Sequence, residues 1–219
     1  MEDYREFRNA TLGAIFSDAG VPQDARILEV GCGTGLTLQY LSQMSSGYRL
    51  LGMDLSEVML KQAEEKAARL SNRPRLVLGD AGRLPYEDGA FDVTLSTRFI
   101  HQFTHEDKKR LWQEFRRVTR KDGIVVVEFY ARPYHWLRYY LGDGAKGRPY
   151  EGYFRHFPTQ REVRDIVASA HRAYPLRMPG SRIVRRLLGE DGLRSLTRTA
   201  GPATAGLLTD EYFVVARNG

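Results

Sequence analysis

The stretch Ile27-Leu28-Glu29-Val30-Gly31-Cys32-Gly33-Thr34-Gly35 decides the fold. It begins, with Arg26, as a short apolar strand and breaks at once into alternate glycines. Such glycines let the backbone turn sharply and let a ligand approach the main chain closely. A helix carrying Leu36, Tyr40, Leu41 and Met44 follows, and its N-terminus presents N–H groups toward the loop. Strand, glycine loop and helix in that order predict a nucleotide-type site, although a glycine pattern alone is a weak signal. Glu29 strengthens it, because an acid between Leu28 and Val30 in a buried strand needs a purpose.

Outward from this loop the same alternation repeats. Residues 3–19 read as an amphipathic helix with Phe7, Leu12, Ile15 and Phe16 at helical spacing, stopped by Gly20-Val21-Pro22. Strands are expected at 50–54, 75–78, 91–96 and 123–129, and helices at about 56–70 and from about His105, with Thr104 as N-cap. This predicts an α/β protein: a Rossmann-like, doubly wound, mostly parallel seven-stranded sheet. Right-handed crossovers then gather the strands' carboxyl ends on one edge, where ligands bind. Asp54 ends the second strand, 19 residues after Gly35, where a carboxylate can accept the ribose hydroxyls of an adenosine.

After Phe129 the texture changes. Residues 130–157 hold nine aromatics, including Tyr130, Tyr134, Trp136 and Tyr153, interrupted by Gly142, Gly144, Gly147 and Pro149. These read equally as a packed cap and as a substrate pocket. Residues 159–170 look helical, 175–208 resist assignment, and 211–216 read as a terminal strand. One domain is expected: a helical cap at 1–24, a cofactor-binding core at 25–129, a substrate-side insertion at 130–208 and a last strand at 209–219.

Charge is uneven. Residues 1–129 carry 18 Lys/Arg against 19 Asp/Glu, and residues 130–219 carry 15 against 8, with 14 of those 15 cations arginine. The plain reading is a solvated basic face; the sharper one is a surface that meets a carboxylate, a phosphate, lipid heads or nucleic acid. No apolar run approaches bilayer length, the N-terminus carries acids rather than an apolar stretch, and Cys32 is the single cysteine. A cytoplasmic protein is the expectation.

Several blocks together resemble the class I S-adenosylmethionine-dependent methyltransferases, in the form of the small-molecule type 11 group. The opening stretch resembles their first motif, and Gly52-Met53-Asp54-Leu55-Ser56 their second. Gly79-Asp80-Ala81, Leu84-Pro85-Tyr86, Phe91-Asp92-Val93, the segment Ser96 to Phe103 and the strand Ile124 to Val127 follow in order. The likeness covers roughly residues 25–130. It implies S-adenosyl-L-methionine as cofactor. Glu29 and the backbone of Gly31, Cys32 and Gly33 would hold the methionine part. Asp54 would take the ribose with Leu55 flanking the adenine. Asp80 would take the adenine amine with Ala81 beside the ring, and Thr97 would line the sulfonium. Arg98 departs from the family, which favours a small or apolar residue there. A fixed cation near a sulfonium is unfavourable, so Arg98 should turn toward substrate or a carboxylate.

Duller roles stand beside these. Asp54 and Asp80 also suit loop caps, Cys32 suits a small loop site better than reactivity, and Asp92 suits a structural strand start. His101, His135 and His156 are candidate bases, and Arg98, Tyr130, Tyr134, Arg138 and Tyr153 candidate substrate contacts. No metal ligand set is read. The expected acceptor is a small molecule, aromatic or lipid-like with an anionic group. A membrane-surface version rests on the run Trp136 to Leu141. A nucleic-acid methyltransferase is the alternative, weakened because Ser96-Thr97-Arg98-Phe99 replaces an Asn/Asp-Pro-Pro-aromatic sequence. A cofactor-binding module without catalysis, and a nicotinamide-dependent reductase lacking its Tyr-x-x-x-Lys pair, are the other classes considered.

Overall fold

The structure is a computed structural model and describes residues 2–130, 158–167, 171–177 and 211–219. In chain order the elements are α1 (Glu2–Ala19), β1 (Arg26–Val30), α2 (Leu36–Met44), β2 (Arg49–Asp54), α3 (Glu57–Ala67), β3 (Arg75–Leu78), β4 (Phe91–Ser96), a 3-10 turn (Ile100–Gln102), α4 (His105–Val118), β5 (Thr119–Tyr130), α5 (Gln160–Val167), β6 (His171–Arg177) and β7 (Glu211–Arg217). They form a seven-stranded sheet in the order β3-β2-β1-β4-β5-β7-β6. The first five strands run parallel, and β7 lies antiparallel between β5 and β6.

Buried on both faces, β1 has the unbroken Ile27-Leu28-Glu29-Val30 interior of a central parallel strand. Alternate residues feed two cores. Ile27, Leu95, Val126 and Phe213 pack with Leu12, Ile15 and Phe16 of α1 and Leu38 and Leu41 of α2. Leu28, Val125, Val127 and Phe129 pack with Leu111, Trp112 and Phe115 of α4 and with Val163 and Ile166 of α5. The N-cap of α4 is the expected one: Thr104 Oγ1 accepts from Asp107 N at 3.2 Å. In α5 the Thr159 amide donates to Glu162 Oε2 at 2.6 Å, and the Glu162 amide donates to Thr159 Oγ1 at 3.3 Å, a reciprocal cap.

Two elements differ from the sequence reading. Strand β6 lies partly in a stretch that resisted assignment, because Pro175 interrupts it and no alternation survives. Its place explains the tolerance: it is an edge strand with an irregular register between Pro175 and Arg177, where a missing amide hydrogen costs little. Strand β5 begins at Thr119 rather than Gly123. A register shift and the left-handed Asp122 (φ 62°) let its first residues pair with Phe91 before the apolar run starts. Asp92 is structural, as read: its Oδ2 accepts from Arg26 N at 2.8 Å and its Oδ1 takes the Arg120 guanidinium, tying the starts of β1 and β5.

Sheet order reverses between β1 and β4, so their carboxyl ends open a crevice. One wall of it is the long β3–β4 connection, anchored by Arg117. That guanidinium donates to both Glu114 oxygens at 2.9 Å, to Leu84 O at 3.0 Å, to Tyr86 O at 2.7 Å and to Asp88 at 2.9 Å. Arg117→Met should therefore lower stability by about 2 kcal/mol, the value of a few charge-assisted bonds partly re-formed with water. Urea unfolding measures it, and a loss under about 0.5 kcal/mol would show that the connection holds without the fork.

Candidate functional site

A cleft of about 740 Å³ opens at the switch point, within the range of small-molecule and cofactor sites. The glycine loop forms its floor. Gly31 and Gly33 have φ of 71° and 52°, in the left-handed region that a side chain disfavours. A Cβ at Gly31 would stand 2.3 Å from the Phe99 ring, so glycine is required there by space as well. A Cβ at Gly33 would meet nothing within 4 Å; it would project into open room.

The loop is held by the strand beside it. Gly31 N and Cys32 N both donate to Met53 O, at 2.8 and 3.0 Å. Gly33 N donates to Asp54 Oδ2 at 2.7 Å, and Ser56 N donates to Asp54 Oδ1 at 2.9 Å. The backbone of residues 31–33 thus offers a ligand close approach rather than unused amides. Asp54 is a loop brace whatever else it does, yet each carboxylate oxygen can accept again. Asp80 likewise accepts from Gly82 N at 2.8 Å through Oδ1.

Glu29 lies behind the loop with 1% of its surface exposed. Thr97 Oγ1 donates to its Oε1 at 2.9 Å, and Thr37 Oγ1 lies 3.0 Å from Thr97 Oγ1. Its other oxygen, Oε2, is buried with no hydrogen bond of good geometry among the described residues. Burial drives the Glu29 pKa up to about 7, against the hydroxyls of Thr97 and Thr37 and the cation of Arg8, with Asp54 adding a smaller upward push. Burial, helped by Glu29 and Asp54, also pushes the Cys32 thiol far up, so Cys32 is an inert filler, as read.

The residues singled out from the sequence converge. Gly31, Cys32, Gly33, Asp54, Leu55, Asp80, Ala81, Thr97, Arg98 and His101 all line this cleft. Leu55 is 72% exposed at its rim. Tyr130 closes β5 with its ring 4.9 Å from that of His101. Its phenol is pushed up by burial and by Glu128 and Glu211, opposed by a hydrogen bond from Arg98. Arg98 lines the cleft and is exposed. Its backbone is left-handed (φ 53°) and its amide donates to Glu128 Oε2 at 3.1 Å. His135, His156, Tyr134, Arg138 and Tyr153 lie outside the described residues.

Sequence reasoning missed Arg8, Thr37 and Phe99, which also line the cleft. Arg8 carried a signal in hindsight: it falls four residues before Leu12, inside the apolar stripe of α1.

A glycine loop between a central strand and a helix, acids at the ends of β1, β2 and β3, and one crevice at the switch point define a Rossmann-like cofactor-binding protein. The comparisons with known proteins are more specific. Residues 28–127 match the family model described as a methyltransferase domain. The chain is similar to a malonyl-[acyl-carrier protein] O-methyltransferase of Geobacter sulfurreducens, 34% identical over 167 residues, which are 73% of this chain and 59% of that protein. It is similar to a demethylmenaquinone methyltransferase of Staphylococcus aureus, 36% identical over 114 residues, 51% of this chain and 46% of that protein. The chain spans about half the length of the curated relatives it matches. A solved SAM-dependent methyltransferase from Methanosarcina mazei shares the fold, with a TM-score of 0.62 at 17% identity over 90% of this chain and 93% of that one. The family model, the relatives and the shared fold support a class I S-adenosylmethionine-dependent methyltransferase, a family whose cofactor is S-adenosylmethionine. The residues present fit it: Glu29 Oε2 is buried with no hydrogen bond among the described residues, an acceptor that a ligand ammonium would satisfy, and the cleft has open room at Gly33.

Because Glu29 holds its proton more tightly folded than unfolded, the ligand-free protein loses stability as pH rises from about 4.5 through about 7. The loss should be on the order of 3–4 kcal/mol, at about 1.4 kcal/mol per pKa unit. Glu29→Gln, neutral throughout, should flatten that segment of the stability–pH curve. Chemical denaturation at pH 5, 6, 7 and 8 tests it, and parallel curves for the two proteins would refute the assignment.

Proposed function

We propose that the chain transfers the methyl group of S-adenosylmethionine to a small-molecule acceptor, aromatic or lipid-like and carrying an anionic group. The observation that carries the reading is the convergence of Asp54 and Asp80 on one cleft beside the glycine loop, with the buried Glu29 bonded to Thr97 of that cleft. In this reading residues 25–129 hold the cofactor and the segment 130–208 serves the acceptor.

Glu29 receives the cofactor's ammonium beside the turns at Gly31, Cys32 and Gly33. Asp54 accepts the ribose hydroxyls while bracing Gly33, and Leu55 covers one adenine face. Asp80 accepts from the adenine amine, with the buried Ala81 against the ring. Thr97, held by Glu29 and facing Thr37, presents a small hydroxyl near the sulfonium. The cofactor itself supplies an electrophilic methyl, so the chain's task is to align the acceptor and exclude water. His101 is the candidate base that lines the described cleft, and the Tyr130 ring steadies it. Arg98 stands exposed at the cleft edge, where a guanidinium can meet an acceptor carboxylate or phosphate. The names of the relatives, for malonyl-[acyl-carrier protein] and for demethylmenaquinone, support an acceptor of this class. Among the described residues no helix is long and apolar enough to cross a membrane.

Calorimetry should show binding of S-adenosylhomocysteine and none of NAD. Asp54→Ala should cost roughly 1.5–3 kcal/mol, and equally for 5′-methylthioadenosine, which keeps the ribose. Unchanged affinity would remove Asp54 from the ribose site.

Acceptor class is tested with methyl-labelled cofactor and a panel of carboxylated acyl thioesters, lipid-tailed phenols and RNA. Label should enter a small acid or phenol with little dependence on salt. His101→Gln should lower kcat about a hundredfold, in the range of one general base, with cofactor affinity unchanged. Label entering RNA, with affinity falling steeply in log salt, would overturn the reading.

A further inference from the structure

Just past β4, the backbone of Arg98 lies in the left-handed region, at a φ of 53°. A residue with a Cβ is strained there and a glycine is not. A buried acid meets that strain: Glu128 of β5, fully buried, accepts from the Arg98 amide at 3.1 Å through Oε2. Glycine would need no such support, so what the acid under the amide retains is the arginine side chain. Its guanidinium donates to the Tyr130 phenol oxygen, and Tyr130 lies two residues beyond Glu128 on the same face of β5. Tyr130 pairs directly with Glu211 of β7, also buried, and both acids act on its phenol. The Tyr130 ring meets the His101 ring at 4.9 Å, inclined at 63°. Arg98 and His101 both line the cleft. One carboxylate thus stands behind a linked set, Arg98, Tyr130 and His101, on the β4–β5 side of the switch point, with Asp54 and Asp80 on the other side at the ends of β2 and β3.

We propose that Glu128 is a positioning residue of the acceptor end: by holding the Arg98 amide it fixes the turn that sets the guanidinium on Tyr130, and through Tyr130 the seat of the candidate base His101. The inference rests on the methyltransferase reading and adds to it the residue that keeps the acceptor-side groups in place. Methyl transfer depends on alignment, so the groups that meet the acceptor need a fixed backbone beneath them. The bond from the Arg98 amide needs an acceptor oxygen on a side chain of this length, which glutamine supplies and leucine does not.

Nuclear magnetic resonance of the histidine rings in the full chain reads the arrangement without an acceptor. His101→Gln identifies the His101 signal among the five histidines. Tyr130→Leu should remove the shift that the Tyr130 ring imposes on it and so sets the zero of the scale. Glu128→Gln should keep the wild-type shift, and Glu128→Leu should lose most of it. Arg98→Gly is the second variant, and it decides alone if Glu128→Leu does not fold. Glycine takes the left-handed turn unaided, yet it lacks the guanidinium that holds the phenol, so the His101 shift should fall there too. Calorimetry should find the affinity of Arg98→Gly for S-adenosylhomocysteine unchanged, because Thr97 keeps its place. The proposal fails if Glu128→Leu keeps the wild-type signal, if Glu128→Gln loses it as fully as Glu128→Leu, or if Arg98→Gly leaves it in place. Wild type that binds no S-adenosylhomocysteine would instead defeat the methyltransferase reading, and the histidine signals would still decide the role of Glu128.

Discussion

Glu29 is held by a chain of hydroxyls. Thr97 donates to Glu29 Oε1 at 2.9 Å, and the Thr37 hydroxyl lies 3.0 Å from that of Thr97. Three elements are joined by those two bonds: β1 through Glu29, the end of β4 through Thr97 and the first turn of α2 through Thr37. They meet where the strand order reverses. An apolar residue in place of Glu29 would leave the Thr97 hydroxyl without this acceptor. The switch point is thus built over a buried carboxyl whose burial is unfavourable.

The glycine loop answers a second constraint. Its amides at Gly31, Cys32 and Gly33 all point to acceptors on or just after β2, namely Met53 O and Asp54 Oδ2. That makes the loop rigid before any ligand arrives. Rigidity lowers the entropy lost on binding. Gly52 shares in this, because a Cβ there would collide with Leu38 and with the buried Cys32 thiol that fills the inside of the turn.

On the far side of Thr97 the chain manages an arginine beside the cleft. The left-handed backbone of Arg98 costs about 1 kcal/mol or more for a residue with a Cβ. Glu128, reaching from β5 to the Arg98 amide, compensates, and the guanidinium finds the Tyr130 phenol. The same twist leaves Thr97 pointing inward to Glu29.

Much of this was legible in order along the chain. Alternate glycines after a four-residue apolar strand, with acids at 29, 54 and 80, mark the crevice because local chain chemistry and the parallel topology both demand it. The apolar periods of α1 and α4 were equally plain. Strand β6 was not, since Pro175 hides a strand that only an edge position allows. Whether Asp54 braces the loop or meets a ligand could not be read from its position; the fold shows that it braces, and geometry leaves room for both. Arg8 and Thr37 belong to the cleft only because α1 and α2 lie on the same face of the sheet as Glu29, a contact between segments far apart in sequence. The sequence by itself determined the parallel strands, the loop and its acids, since these follow from local spacing. Which buried charges face one another was decided by tertiary packing, because burial and pairing depend on neighbours that no local pattern names.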